Sequence, residues 1–165
     1  MNAKLEVASK YRHQIAETNQ RVGDFNGFLA KEHQLKFIDP NDPDTFAVIG
    51  SPTWVSEPLP CNHCAGIYIL GAHDEKISSR PGAYVRRASL KSIRYGIRSI
   101  LNSYKATNPC AIQIGSSTFW FEVILVVPIF SGHMRSMACA LEEHIIKYGL
   151  ESVYLFNGPD TLPDV

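Results

Sequence analysis

Two segments with the composition of β-strands, separated by a stretch typical of a long turn, constrain the fold of this chain most. Residues 65–70 and 82–87 contain tyrosine together with isoleucine or valine, which favour strands. Residues 73–76 and 78–81 lie between them, are polar and include a proline, so they predict the turn. A strand, a turn and a returning strand predict an antiparallel pair.

Further regular elements are predicted after this pair. Apolar residues recur every three or four positions over residues 90–104, which predicts an amphipathic helix with Ser89 as its N-cap. Residues 118–127 are rich in aromatic and β-branched side chains, as in a buried strand. A second amphipathic helix is predicted over residues 134–148, and residues 153–156 are expected to form a short extended segment.

The first third of the chain has a different character. Residues 4–36 have the apolar spacing of a helix. Residues 39–44 are a cluster of turn-forming residues, and residues 45–49 predict a short strand. Residues 51–60 contain three prolines and predict an irregular loop. This third therefore looks like an extension of the segments that follow.

The composition is typical of a globular protein with its own core. Of the 165 residues, 45% are hydrophobic and 19% are charged, which allows a core without disulfide or metal support. The four cysteines are too scattered for a disulfide framework, so we expect them to be reduced. The single pair Cys61 and Cys64 lacks the second pair that a zinc site needs. With no signal-peptide pattern, and with a longest apolar run (residues 123–130) too short to span a membrane, a soluble, cytoplasmic protein is expected.

Charge is distributed unevenly along the chain, although the formal net charge is zero. Between residues 76 and 121 there is no Asp or Glu, and the eight basic residues of this window are Lys76, Arg80, Arg86, Arg87, Lys91, Arg94, Arg98 and Lys105. Such a surface can bind a polyanion, or it can be a solvated face whose counter-charges come from elsewhere in the fold. The last four, Lys91, Arg94, Arg98 and Lys105, fall together on one face of the predicted helix at about 100° per residue, which favours nucleic-acid binding.

The order of the elements and the residues within them resemble the GIY-YIG nuclease family. Gly66-Ile67-Tyr68 matches the first motif of that family, and Tyr84-Val85 matches the first two positions of the second. Arg94 stands ten residues after the start of the second motif, at the spacing of the family's helix arginine. Glu142 is placed like the family's metal-binding glutamate, and Asn157 corresponds to an asparagine near the end of the domain.

The resemblance covers residues 61–158 and implies an α+β fold, in which a small three-stranded antiparallel sheet is flanked by helices. Residues 1–60 are then an N-terminal extension, mainly helical, that serves dimerisation or DNA contact. Residues 159–165 are a tail.

The chain departs from the family pattern at three places. Arg86 stands where the second motif has glycine, and it either obstructs the cleft or adds a phosphate contact. Arg98 occupies the place where many members have histidine, so it keeps a phosphate contact without a proton shuttle. The gap between the two motifs is long, and Lys76 within it is a candidate for lowering the pKa of the Tyr68 phenol.

The resemblance implies a catalytic role for each matching residue, since phosphodiester hydrolysis needs an activated water and stabilisation of charge at phosphorus and at the leaving oxygen. Tyr68 would act as general base or position the water. Because a phenol has a pKa of ~10, a nearby cation or metal-linked water would have to assist it. Tyr84 would form a hydrogen bond beside Tyr68. Arg94 would hold the scissile phosphate through its planar fork. Glu142 would bind one divalent cation, Mg²⁺ or Mn²⁺, and Asn157 would orient the region around it.

Each of these assignments has a structural alternative. Tyr68 and Tyr84 can be cross-strand aromatic residues of the core. Arg94 and Glu142 can be solvated side chains on helix surfaces. Helix geometry favours Glu142 over Glu143 for the metal, because Glu142 borders the buried stripe of the predicted helix.

The resemblance therefore predicts a metal-dependent DNA endonuclease. The domain architecture favours a site-specific type II restriction enzyme that acts as a homodimer on double-stranded DNA. Further DNA contacts are expected at Lys76, Arg80, Arg86, Arg87, Lys91 and Lys105. The alternatives are a repair, mobile-element or defence nuclease of looser specificity, and a catalytically inactive DNA-binding module in which Arg86 abolishes activity.

Overall fold

A computed structural model of the protein describes residues 3–49, 64–74, 76, 81–89, 92–96, 111–114, 117–130, 134–148 and 154–155. The expectations for the loop at residues 51–60, for most of the helix at residues 90–104 and for the tail at residues 159–165 lie outside this part of the chain.

Helices and strands alternate irregularly along the described residues. Their order is α1 (Ala3–Lys10), α2 (Arg12–Asn26), β1 (Phe46–Val48), β2 (Ala65–Asp74), β3 (Pro81–Ala88), α3 (residues 93–96), β4 (Ala111–Ile114), β5 (Ser117–Ile129), α4 (Met137–Tyr148) and β6 (Tyr154–Leu155). A 3-10 turn at Lys31–His33 precedes β1. No helix among these residues is long and apolar enough to cross a membrane.

One mixed sheet organises the fold, and the α+β class is confirmed. The strand order is β1-β5-β2-β3-β6, and β4 pairs with β5. The β3–β6 pair is parallel, and the other pairs are antiparallel. The three central strands, β5, β2 and β3, are the strands that were expected. The sheet is wider than three strands because β1, β4 and β6 add to its edges.

The sheet has an apolar layer on each side, because successive side chains of a strand point to opposite faces. On the first side, Ile67, Ile69 and Val85 pack with α1, α2 and α4 in one buried cluster. We call this side the α4 face. On the second side, Tyr68 and Leu70 belong to a cluster with residues of β5 and with Ile93 of α3. We call this side the tyrosine face.

The N-terminal helices are fixed to the sheet. The hydroxyl of Tyr11, between α1 and α2, donates to Glu122 Oε2 of β5 at 2.9 Å, and Lys10 Nζ donates to Oε1 at 3.0 Å. Ala8, Tyr11 and Val22 share the buried cluster of the α4 face with Ile67. The extension therefore shares a core with the sheet, while the expected domain boundary after residue 60 falls outside the described residues.

The helical region ends at Asn26, earlier than the expected residue 36. The chain around residues 35–38 is extended beside α2, where two asparagine side chains hold it. The Asn26 amide donates to the Leu35 carbonyl oxygen at 3.1 Å and accepts from the Leu35 N–H at 2.7 Å. Asn19 forms the same pair of bonds with Ile38, at 2.9 Å and 2.7 Å. These bonds satisfy the backbone of an extended chain, and α2 ends at Asn26.

Two local expectations around the first strand pair are wrong. His73 and Asp74 were expected in a turn, but they continue β2, because β5 is long enough to pair with both of them. Ser89 was expected to cap the helix, but Ser92 does so, since its Oγ accepts from the Tyr95 N–H at 3.3 Å. The Ser89 carbonyl oxygen instead accepts from Arg135 Nε at 2.7 Å.

The cysteines are not all reduced as expected. Cys64, buried just before β2, is disulfide-bonded, and its partner lies outside the described residues. Cys139 of α4 is a free thiol. Sequence spacing did not show this bond, because a disulfide depends on the separation of the two Cα atoms in the fold.

Gly66, the first residue of the GIY sequence, has a backbone that fits only glycine. Its φ angle is +145°, which side chains of L-residues rarely adopt. A Cβ atom there would overlap the carbonyl oxygen of Val127 and lie 3.1 Å from Pro128 Cα. Both of these are backbone atoms of β5 and cannot rotate away.

We therefore expect the Gly66→Ala variant to lower the free energy of unfolding by about 3 kcal/mol. Gly23→Ala, within helix α2, is the matched control. Its new methyl group would contact only the ring of Phe37, at 3.7 Å. That control should gain about 0.5–1 kcal/mol from helix propensity. Urea unfolding of the three proteins measures both changes, and equal stabilities of the two variants would contradict this account of β2.

Candidate functional site

The two tyrosines of the GIY and YVR sequences lie side by side on the tyrosine face. Tyr68 of β2 is directly opposite Arg86 of β3, and Leu70 is directly opposite Tyr84. Since partners in register share a face, Tyr84 is the diagonal neighbour of Tyr68. The structure therefore brings Tyr68, Tyr84 and Arg86 together.

Helix α3 covers Tyr68. The Ile93 N–H donates to the Cys64 carbonyl oxygen at 3.0 Å, which ties the start of α3 to the start of β2. Gly96 lies against the tyrosine, and a Cβ atom there would be 2.9 Å from Tyr68 Cε1 and 3.0 Å from its hydroxyl oxygen. As a result, Tyr68 is only 3% exposed. Gly96 was not among the expected site residues, because a glycine inside a helical pattern gives no sign of what packs on it.

The hydroxyl of Tyr68 holds its proton more tightly than an exposed phenol. Burial raises the pKa of Tyr68 well above its ordinary value, and Tyr84 raises it further, whereas the charge of Arg86 lowers the pKa and that of Glu142 raises it. Among the described residues, Arg86 is thus the cation that lowers the Tyr68 pKa and favours the ionised phenol. Lys76 follows the end of β2 at Asp74, and Asp74 is roughly 20 Å along the strand from Tyr68. Lys76 is not among the groups that shift the Tyr68 pKa, so its expected effect is not found.

Glu142 is buried on the α4 face and is not a solvated helix carboxylate. It is 6% exposed, while its neighbour Glu143 is exposed, as the helix periodicity predicted. Its Oε1 accepts from Arg87 Nη1 at 2.6 Å. Its Oε2 is buried and has no hydrogen-bond partner among the described residues. Arg87, expected to contact DNA, thus binds Glu142 with its guanidinium, and the carboxylate raises the pKa of Arg87.

The carboxylate and the tyrosines lie on opposite faces of the sheet. Arg87 is opposite Ile67 in register, so it points to the α4 face, whereas Arg86 points to the tyrosine face. In the described chain, β6 pairs only with Gly82 and Ala83, at the other end of β3. The charge of Glu142 is the smallest of the four causes that shift the Tyr68 pKa.

Arg94 lies on α3, the helix that covers Tyr68. It follows Ile93 in the first turn of α3 and is half-buried. Its Nε is buried and has no hydrogen-bond partner in the described part of the chain. A buried guanidinium N–H without a partner is free to bind an anion.

The remaining expected site residues are not placed. Arg80, Lys91, Arg98, Lys105 and Asn157 lie outside the described residues. Within the described residues, no three or more His, Cys, Asp or Glu side chains form a group that could hold a metal ion. Glu142 remains the candidate ligand, because one carboxylate suffices for a magnesium ion whose other ligands are phosphate and water.

The chain is not matched by any family model, any curated protein or any solved structure. The functional interpretation therefore depends on the motif residues and on the geometry above.

The pair formed by Arg87 and Glu142 should be coupled energetically. We expect Arg87→Met to lower the free energy of unfolding by about 2 kcal/mol, because it leaves a buried carboxylate unpaired. The effect is limited to this size because the Arg87 side chain is 46% exposed and partly screened by solvent. The double variant Arg87→Met/Glu142→Gln should recover at least ~1 kcal/mol relative to the sum of the single variants. Urea unfolding of all four proteins gives this coupling.

The control for this cycle is Arg12→Met, because Arg12 is exposed on α2. Its effect should stay within about 0.5 kcal/mol. Strict additivity of the two single variants would show that the 2.6 Å contact contributes nothing to stability.

Proposed function

We propose that this protein is a metal-dependent nuclease that hydrolyses phosphodiester bonds of double-stranded DNA, and that it cuts at specific sites as a type II restriction enzyme. The observation that most supports the proposal is that the two motif tyrosines, Tyr68 and Tyr84, lie together with Arg86 on the tyrosine face. Glu142 follows on α4, buried on the opposite side of the sheet, in the chain order that the GIY-YIG resemblance implies.

In this proposal Tyr68 positions the attacking water. Because burial raises its pKa, Tyr68 is a neutral hydroxyl near neutral pH, and it can both accept and donate a hydrogen bond. Arg94 would bind the phosphate through its Nε, which has no hydrogen-bond partner among the described residues. Tyr84, half-buried beside Tyr68, forms the wall of the site toward solvent.

Glu142 is the residue that would hold the divalent cation. Arg87 occupies its Oε1, so the partnerless Oε2 is the oxygen left to bind Mg²⁺ or Mn²⁺. A cation at this position supplies charge stabilisation for the phosphate and for the leaving 3′ oxygen. Arg87 keeps the carboxylate in one rotamer and limits it to a single metal-binding oxygen.

The proposal includes a homodimer, because two active sites are needed to cut two strands of a palindromic sequence. The extension of residues 1–60 would serve dimerisation or base reading. A cytoplasmic location stays a prediction, and the disulfide at Cys64 is the observation against it.

A catalytically inactive DNA-binding module is the second candidate. Arg86 in place of the motif glycine favours it, since the side chain lies on the same face as Tyr68 and directly opposite it in register. A nuclease of looser specificity is the third candidate, and it differs from the first only in the products that it leaves.

Cleavage of supercoiled plasmid with Mg²⁺ or Mn²⁺ tests the proposal. The wild type should cut, and Glu142→Gln and Tyr68→Phe should each lower the rate at least ~100-fold, because each removes a group of the reacting site. Glu143→Gln is the matched control, one residue away and exposed, and should cut like the wild type. Circular dichroism would establish that each variant is folded.

Failure of the wild type to cut under every divalent metal would refute the nuclease proposal and favour the inactive module. Cleavage that Glu142→Gln leaves unchanged would refute the role of this carboxylate. Discrete fragments from a long DNA would indicate site specificity, whereas a smear would indicate the looser nuclease.

A further inference from the structure

Arg86 has a defined position on the tyrosine face. It is directly opposite Tyr68 in the β2–β3 ladder and two residues from Tyr84 on the same strand face. Its guanidinium carbon lies 5.6 Å from the centre of the Tyr84 ring. This is a cation–π contact, and it holds the guanidinium over Tyr84.

The two neighbouring arginines of β3 have different partners. Arg87 gives its Nη1 to Glu142 on the α4 face. Arg86 has no ion pair with a carboxylate in the described part of the chain, and its contact there is the ring of Tyr84. A guanidinium carries five N–H donors, and a ring contact pairs none of them with an acceptor oxygen. The donors of Arg86 are therefore available to an anion.

Access to the site also points to Arg86. Tyr68 is 3% exposed, and Gly96 covers part of its ring and its hydroxyl. Tyr84 and Arg86 are only half-buried. Arg86 is therefore more accessible to an anion from solvent than the phenol of Tyr68 is.

We propose that Arg86, held over the ring of Tyr84, binds a phosphate group of the DNA beside Tyr68. The inference rests on the proposed nuclease function and adds a substrate contact to that site. Where the family's glycine lets the backbone approach the substrate closely, this chain uses a long planar cation that reaches the phosphate. Arg86 is then a binding residue and not an obstruction.

DNA binding by the full-length protein tests this inference. Fluorescence anisotropy of a labelled duplex gives the affinity over a series of salt concentrations, with EDTA present to prevent metal-dependent cleavage. Arg86→Gln should weaken binding about tenfold and reduce the slope of log K against log salt by about 0.9, since one phosphate contact is lost. The DNA affinity of Arg86→Lys should lie between those of the wild type and Arg86→Gln, because lysine keeps the charge but loses the planar fork. Lys147→Gln, at an exposed position of α4 outside the expected DNA contacts, should leave both quantities unchanged.

A second variant guards against a folding defect. Arg86→Gly restores the family's residue and should show the same loss of affinity and of salt slope as Arg86→Gln, with a native circular dichroism spectrum. Affinity and slope equal to wild type in both variants would overturn the inference.

Parallel plasmid cleavage separates this inference from the proposed function. Faster cleavage by Arg86→Gly than by wild type would overturn the inference, because Arg86 would then obstruct the cleft, and the nuclease function would stand. Arg86-dependent DNA binding without cleavage under any divalent metal would support the phosphate contact and refute the nuclease function.

Discussion

The fold depends on β2 being paired on both edges and covered on both faces. Its ladders to β3 and β5 run along nearly the whole strand, and its residues from 65 to 72 are all buried. A strand in this position needs an apolar layer on each side. Helices α1, α2 and α4 provide one layer, and α3 with part of β5 provides the other. Tyr68 is buried because it belongs to this strand, and burial in turn raises its pKa.

The same ladder distributes the chemistry of the site. Strand alternation sends Arg86 to the tyrosines and Arg87 to Glu142, so two adjacent arginines serve opposite faces. The Arg87 contact lets a carboxylate remain buried in an apolar cluster, where an unpaired charge would be costly. Tyr68 and Glu142 lie on opposite faces, so the proposed reaction requires that one substrate reach both a phosphate site beside Tyr68 and a cation on Glu142.

Local patterns predicted much of the framework and part of the site. The β-branched and aromatic composition of β3 and β5 and the helical period of α4 were sufficient to place these elements and the buried side of Glu142. What the sequence did not reveal depends on contacts between distant residues. The end of α2 is set by amide bonds from Asn26 to Leu35, and the covering of Tyr68 by Gly96 follows from the tie between α3 and β2. The direction of Arg86 follows from the register, which no single segment encodes.

Whether Tyr68 and a cation on Glu142 share one site can be measured without catalysis. In a protein with ¹³C-labelled tyrosine rings, the Tyr68 signal is assigned by its absence in Tyr68→Phe. Mn²⁺ is then added in the presence of a short duplex DNA. The account predicts that the paramagnetic ion broadens the Tyr68 signal in the wild type and leaves it sharp in Glu142→Gln. A Tyr68 signal that stays sharp in the wild type, or that broadens equally in Glu142→Gln, would contradict it.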